Sequence, residues 1–410
     1  MVSHAYRRVI HYRETMDRLH LRPEDFRTAR DLELLPLVTK DELVDAPERF
    51  IASGYGVDQG LLLHSSGTSG RARSILYDSR ALFLALANGY RARRATAQLL
   101  GRSVGFREID LSRANGMPLQ LRNFYEAHSW MPPGVELRRL PLDAAAPFEE
   151  ILARWNEFRP DVVRGYGSLL GAFFRWLHNT RTPFVRPKLV TYGGDRMAAA
   201  DRELIERDLG IPVHSAYQAA EALLIAYQCE RRQGFHISLD QVAVRVIDRE
   251  GRNTAPGESG EIILSNLTNR ATVLLNIKLG DIVTRSSGPC PCGRPLPLLE
   301  RIEGRADDLI AVPGGTVLHS LSALTKLQAI PGVVQVQVVQ EELRRFQLRA
   351  VCAAGADWEI VRQGLADAFQ RLLGTEIELN IERRERIDPE PGGKIKAVIS
   401  CYSAAAGGDS

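Results

Sequence analysis

The stretch 61-LLLHSSGTSGRARSIL-76 sets an apolar run directly before Ser65, Ser66, Gly67, Thr68, Ser69 and Gly70, with Arg71 and Arg73 close behind. A segment so rich in hydroxyls and glycines is unsuited to a core, but its backbone N–H and side-chain O–H groups can wrap an anion. The composition is read as a loop for a triphosphate. A plain surface turn has the same composition, so the rest of the chain must decide. It is not a Walker A loop, because 67-GTSGRAR-73 lacks the Gly-Lys-Ser/Thr ending, and Asp388 stands where the Gly-Lys pair Gly393-Lys394 would need its first glycine.

The chain has 410 residues, 44% hydrophobic and 25% charged, enough for two or three domains with sizeable cores. A net charge of +3, with no basic stripe interleaved with aromatics, argues against a nucleic-acid partner. The Arg-rich segments 90-YRARRA-95 and 381-IERRERI-387 read as solvated faces. His, Arg and Glu interrupt the first 22 residues where a secretory leader needs an apolar run, and 81-ALFLALA-87 falls short of a membrane span. A cytoplasmic protein with no membrane partner is expected, with a homodimer left open. Five cysteines, odd in number and too few for a disulfide scaffold, suit a reducing compartment.

Residues 1–50 read as short helices, and Thr39 with Glu42 forms a capping-box pattern. From 147 to 210, apolar runs alternate with amphipathic helices, which predicts an α/β sheet with partly parallel strands. Residues 241–285 change to strands joined by Gly-containing turns, a smaller β-rich subdomain. After 301-RIEGRADD-308 the pattern resets: 333-VVQVQVVQ-340 and 346-FQLRAVCA-353 alternate with period two and predict a hairpin. A helix follows, with Ile360, Val361, Leu365, Phe369 and Leu372 on one face. The tail 403-SAAAGGDS-410 reads as disordered.

Six segments occur in order: 65-SSGTSGRAR-73, 191-TYGGD-195, 216-AYQAAE-221, 274-LLNIKLGD-281, 302-IEGRADD-308 and 392-GGKIKAVIS-400. Together they resemble the adenylate-forming superfamily of acyl-CoA synthetases and ligases, nearest to its phenylacetate-CoA ligase and CapK-like branch. The resemblance implies an α/β fold: a large N-terminal ATP- and acid-binding domain (1–304) with a β-rich subdomain, and a small mobile C-terminal α+β domain (305–410). It assigns Ser65, Ser66, Gly67, Thr68, Ser69 and Gly70 to the β- and γ-phosphates of ATP, with Thr68 also among the catalytic residues. Gly193, Gly194 and Asp195 line the adenine pocket, Tyr217 stands beside the nucleotide, and Glu221 holds Mg2+. Asp281 takes both ribose hydroxyls, and Arg305 touches ribose and phosphate. Asp307 is the hinge, and Lys394 bridges the acid carboxylate and the α-phosphate, with Lys396 as fallback.

The bland alternatives are surface salt bridges for Asp281 and Arg305 and a solvated Lys394. Departures from the family pattern are Arg71 for lysine, Gln218 and Ala220 for Gly and Thr/Ser, and Asn276-Ile277 for Arg-Tyr. Cys229, His236, Cys290 and Cys292 form a Cys3His set suited to a closed, structural zinc site, supported by matching segments in the same branch. Cys352 reads as core. His64 and His214 flank nucleotide motifs but suit structural roles equally. Residues 101–135 are expected to help line the acid pocket.

The expected activity is ATP-dependent, AMP-forming ligation of an aryl or hydroxy acid to a thiol, with coenzyme A leading. An amine acceptor or a carrier-protein thiol remains open. The rivals are a non-catalytic nucleotide-binding scaffold and a zinc-containing interaction protein.

Overall fold

The computed structural model describes residues 1–64, 73–113, 116–128, 138–305, 309–311, 317–319, 324, 326–353, 355–374, 376–388 and 395–400. The chain forms two compact units, one of residues 1–105, 114–136 and 214–303, the other of 106–113, 137–213 and 304–410. No helix among the described residues is long and apolar enough to cross a membrane.

The first unit begins with the helices Val2–Arg8 and Ile10–Arg18. Tyr12, buried on the second of them, accepts a 2.7 Å hydrogen bond from the Leu275 N–H. Thr39 caps Lys40–Asp45 through the reciprocal box its sequence predicts: Thr39 Oγ1 accepts from the Glu42 N–H, and Glu42 Oε2 accepts from the Thr39 N–H. The strands Gly60–His64 and Ser74–Asp78 pair antiparallel, with His64 opposite Ser74, so the hydroxyl-rich segment connects the two strands of a hairpin.

The unit's main sheet runs Val242–Ile247, Ser259–Asn266, Ile277–Arg285, Leu298–Arg305, Phe235–Ile237, Leu223–Tyr227, Val213–Ala219. Two irregularities interrupt its ladders. The pairing of Val213–Ala219 with Leu223–Tyr227 slips between Tyr217 and Gln218. Ile277–Arg285 carries extra residues between Lys278 and Ile282, where Gly280 takes φ +66°. Bulges bend a strand and re-aim its side chains, and both of these fall on candidate site residues.

In the second unit, four parallel strands lie in the order Leu189–Gly193, Val162–Gly165, Glu108–Ser112, Arg139–Asp143, of which the alternation over 147–210 predicted the first two. Phe148, Ile151, Leu152 and Trp155 make the apolar stripe of the helix Phe148–Phe158, which starts after Pro147 and has Glu149 and Glu150 in its first turn. Trp155 is fully buried against Phe173 and Phe174 of the helix Gly167–Thr180. Burying each large apolar side chain contributes about 1.5–3 kcal/mol.

The C-terminal elements of the same unit include a four-stranded sheet, in the order Glu378–Arg383, Arg345–Cys352, Val333–Glu342, Val398–Ser400, and the helix Trp358–Leu373. Val333–Glu342 and Arg345–Cys352 form the predicted hairpin. Of the predicted helix face, Val361, Leu365 and Phe369 are buried, but Ile360 is 71% exposed. The apolar stripe is centred on Val361, Leu365, Ala368, Phe369 and Leu373, which turns Ile360, in the first turn, toward solvent. Cys352 is half-buried, short of the core position expected for it, and burial pushes its thiol upward.

Candidate functional site

In the first unit the two strand irregularities bring Tyr217 and Asp281 together. The Tyr217 hydroxyl donates to Asp281 Oδ2 at 2.5 Å, and Tyr217 itself is only 7% exposed. A short O–H···O⁻ bond fixes the orientation of the carboxylate. Four residues beyond Tyr217, Glu221 is buried, and its Oε1 lies 3.2 Å from Arg73 Nε. The approach has ion-pair distance without hydrogen-bond geometry, so we take it as a Coulombic contact. The surrounding backbone is pinned on both sides: Tyr77 donates to the Ala220 carbonyl at 2.7 Å, and Asn266 Nδ2 donates to the Glu221 carbonyl at 2.9 Å. Burial, and then the Glu221 charge, push the Tyr77 phenol well above its usual range, so it remains a neutral donor.

The second unit holds the turn after Leu189–Gly193. Gly194 takes φ +80°, and a Cβ there would stand 3.3 Å from the Tyr166 ring. The left-handed backbone favours glycine, and a Cβ would also press on the ring. Asp195 accepts from the Ser168 hydroxyl at 2.5 Å and from the Ser168 N–H at 3.3 Å, so it caps the start of the helix Gly167–Thr180. Burial, and then the Asp195 charge, raise the Tyr166 phenol. Ile395, the residue after Lys394 in the sequence, donates its N–H to Ser168 Oγ at 3.2 Å and packs against this unit's core.

A separate cluster in the first unit joins Cys229, His236, Cys290 and Cys292, whose ligand atoms all lie within 4.8 Å of one another. Cys229 and Cys290 Sγ are 3.6 Å apart, and Cys292 Sγ is 3.4 Å from His236 Nε2. A disulfide requires about 2.05 Å. A tetrahedron built on Zn–S of about 2.3 Å and Zn–N of about 2.0 Å has edges of about 3.8 Å between sulfurs and about 3.5 Å between sulfur and nitrogen. The spacing and the S3N donor set therefore fit zinc. His236 is fully buried, and its Nδ1 has no hydrogen-bond partner among the described residues. Burial pushes the Cys229 thiol up to about 12, a cost that a divalent cation would offset.

Arg305 ends the strand Leu298–Arg305, and Gly193 ends Leu189–Gly193. Ser65, Ser66, Gly67, Thr68, Ser69, Gly70, Asp307 and Lys394 lie outside the described residues, as do Arg71, 129–135 and the tail 403–410. His214 is buried and bonded to the Gln228 carbonyl at 2.8 Å, a structural role. His64 is exposed, with its Nδ1 2.9 Å from Ser74 Oγ. Sequence reading missed Arg73 as the partner of Glu221 and Ser168 as the partner of Asp195. Arg73 stands beside the hydroxyl-rich segment and could have been paired with an acidic motif residue, whereas Ser168 carries only a generic helix-start signal.

Among curated proteins, the chain is 25% identical over 351 residues to the phenylacetate-coenzyme A ligase of Thermus thermophilus, covering 82% of this chain and 74% of that one. It is 24% identical to the Escherichia coli enzyme of the same name, over 78% of this chain and 72% of that one. Among solved structures, 2-hydroxyisobutyryl-CoA ligase in its postadenylation state superposes with a TM-score of 0.77 at 18% identity, over 99% of this chain and 88% of that one. No family model matches.

Proposed function

We infer that this chain, which resembles the phenylacetate-coenzyme A ligases over most of its length and has the adenylate-forming fold, is an AMP-forming acid–thiol ligase. The observation that carries the reading is the meeting of Tyr217 and Asp281, 64 residues apart, at two strand irregularities. An oriented carboxylate of this kind suits the vicinal hydroxyls of a ribose, accepting one on each oxygen.

In this reading the acid's carboxylate oxygen attacks the α-phosphorus of ATP and the bond to pyrophosphate breaks, leaving an acyl-adenylate. Residues Ser65 to Gly70 donate to the departing phosphates, Thr68 among them. The turn Gly193-Gly194-Asp195 accepts the flat adenine, Tyr217 holds Asp281 on the ribose, and Arg305 adds positive charge. Lys394 offsets the charge that develops between carboxylate and α-phosphate. Glu221 would hold Mg2+, which neutralises phosphate charge, with Arg73 as its partner in the absence of the ion. The C-terminal domain, 305–410, then turns about Asp307. The thiol sulfur attacks the acyl carbonyl, and AMP leaves as the thioester forms. Coenzyme A is the acceptor favoured by the curated relatives, and an aryl or hydroxy acid is the favoured substrate class. Cys229, His236, Cys290 and Cys292 would hold a structural zinc, because four protein ligands leave no open position.

The test is pyrophosphate release from ATP with a panel of aryl, hydroxy and short-chain acids, first without acceptor and then with coenzyme A. Acid-dependent release, followed by a thioester mass with coenzyme A, is expected. ATP binding with no release for any acid would refute the ligase reading.

A further inference from the structure

Two polar residues of the helix Gly167–Thr180, Ser168 and Arg175, stand two helical turns apart and therefore on one face. Each engages a C-terminal element of the same compact unit. Ser168 Oγ accepts from the Ile395 N–H at 3.2 Å, and Arg175 Nη1 donates to the Val334 carbonyl. Arg175 is nearly buried, its side chain 12% exposed, and it forks onto Asp201: Nε to Oδ1 at 2.7 Å and Nη2 to Oδ2 at 2.5 Å. Asp201 is itself buried. Between the two groups lies Gly171, where a Cβ would stand 2.9 Å from Asp201 Cγ, so any larger residue would push the carboxylate off the arginine.

A buried guanidinium is tolerated only when its charge is paired and its donors are satisfied. Asp201 takes two of those donors and holds the fork rigid, which leaves Nη1 aimed at the start of the strand Val333–Glu342. The resulting bond is charge-assisted and desolvated. It exists only while the C-terminal strand rests on the helix, and so does the Ile395–Ser168 bond beside it. Both contacts therefore bias the chain toward the docked arrangement by their whole free energy, because a contact made in one state alone shifts the equilibrium between states.

We propose that Arg175, braced by Asp201 and seconded by Ser168, is a positioning residue that clamps the C-terminal elements in the arrangement used for adenylation and must release them for thioester formation. The proposal rests on the ligase reading above. Arg175 touches no reacting atom. It acts by holding the start of the strand Val333–Glu342 on the helix, while Ser168 holds Ile395, the residue after the candidate lysine in the sequence.

The experiment uses the full-length Arg175→Gln and Arg175→Lys variants, with Ser168→Ala as a second site in case either arginine variant folds poorly. Adenylation is read as acid-dependent ATP–pyrophosphate exchange, transfer as single-turnover thioester formation from isolated acyl-adenylate, and docking as amide hydrogen exchange over 333–342 and 395–400. Charge-assisted bonds of this kind correspond to a factor of about ten to a hundred in an equilibrium. Exchange in those two segments should accelerate about tenfold or more, and adenylation should fall by a comparable factor, with Arg175→Lys the milder variant. Transfer from preformed adenylate should hold at the wild-type rate or rise. A merely structural role would lower both half-reactions together, and that result, or unchanged exchange in both segments, overturns the proposal. Failure of the ligase reading looks different: the wild-type protein itself would show no acid-dependent pyrophosphate exchange, whatever the hydrogen-exchange contrast.

Discussion

Replacing Cys290 by serine tests the metal cluster most directly. Cys290 is 4% exposed, its sulfur is 3.6 Å from that of Cys229, and the full ligand set is gathered within 4.8 Å. Serine nearly preserves the volume, so little of any effect can come from packing. What is lost is a thiolate ligand, and with it most of the affinity of a closed site. Losing a structural metal belongs to the largest class of single-residue effects, about 4 kcal/mol. For a unit of this size each kcal/mol moves Tm by about 2–4 °C, so the melting temperature should fall by about 8–16 °C. The assay pairs elemental analysis of the purified protein with thermal unfolding. Wild-type should carry one zinc per chain and lose the same stability when a strong chelator is added. Cys352→Ser, outside the cluster and half-buried, should stay within about 0.5 kcal/mol of wild-type. Protein that takes up no zinc, with Cys290→Ser melting where wild-type melts, would refute the site and leave the tetrahedral spacing a coincidence of packing.

Other outcomes rest on single contacts. Tyr217→Phe removes the 2.5 Å donor to Asp281. The loss of about 1.5–3 kcal/mol should raise KM for ATP about tenfold or more in pyrophosphate exchange, and an unchanged KM would separate Asp281 from the nucleotide. Lys394→Ala should abolish adenylation while calorimetry still detects ATP binding, and undiminished acyl-adenylate would end its assigned role. Asn276→Ala loses side-chain bonds to the Leu32 and Leu35 carbonyls and the residue type that tolerates φ +56°, so urea unfolding should show a loss of about 2–3 kcal/mol.

Motif order made the adenylate-forming fold legible, and period made the elements legible. The alternation in 333-VVQVQVVQ-340 reports a strand because one face is buried against the helix Trp358–Leu373, and the Thr39/Glu42 box reports a helix start because both partners lie within four residues. Long-range polar pairings were not legible. Nothing local in 216-AYQAAE-221 says that its tyrosine will meet an aspartate 64 residues on, or that its glutamate will meet Arg73. Such meetings depend on register, and register here depends on two bulges that have no reliable sequence signature. The cysteine cluster was half legible: the residue types were informative, but Cys229 and Cys290 come together only through the folding of the sheet. Ile360 is exposed because, at about 100° per residue, it points away from the stripe centred on Val361, Leu365, Ala368 and Phe369, although its neighbour Val361 belongs to it.

Of the two departures from the family pattern that favoured a non-catalytic scaffold, Arg71 lies outside the described residues, while Ala220, like the further departure Asn276, has a packing explanation. Asn276, standing where arginine is usual, is 1% exposed and in the left-handed region. Its amide ties the loop containing Leu32 and Leu35 to the strand that carries Asp281, so it serves the geometry of that strand. Ala220, which lacks the usual hydroxyl, is 6% exposed within the same core cluster as Tyr77, and its carbonyl is already taken by the Tyr77 hydroxyl. A hydroxyl buried there without a partner would cost about 1–3 kcal/mol. Gln218 is exposed at the bulge, where side-chain identity is weakly constrained. Each change thus alters how the backbone around Glu221 and Asp281 is held while leaving both carboxylates in place. A scaffold that had lost its chemistry would be free to lose Glu221 first, because a buried carboxylate without a function is costly to keep.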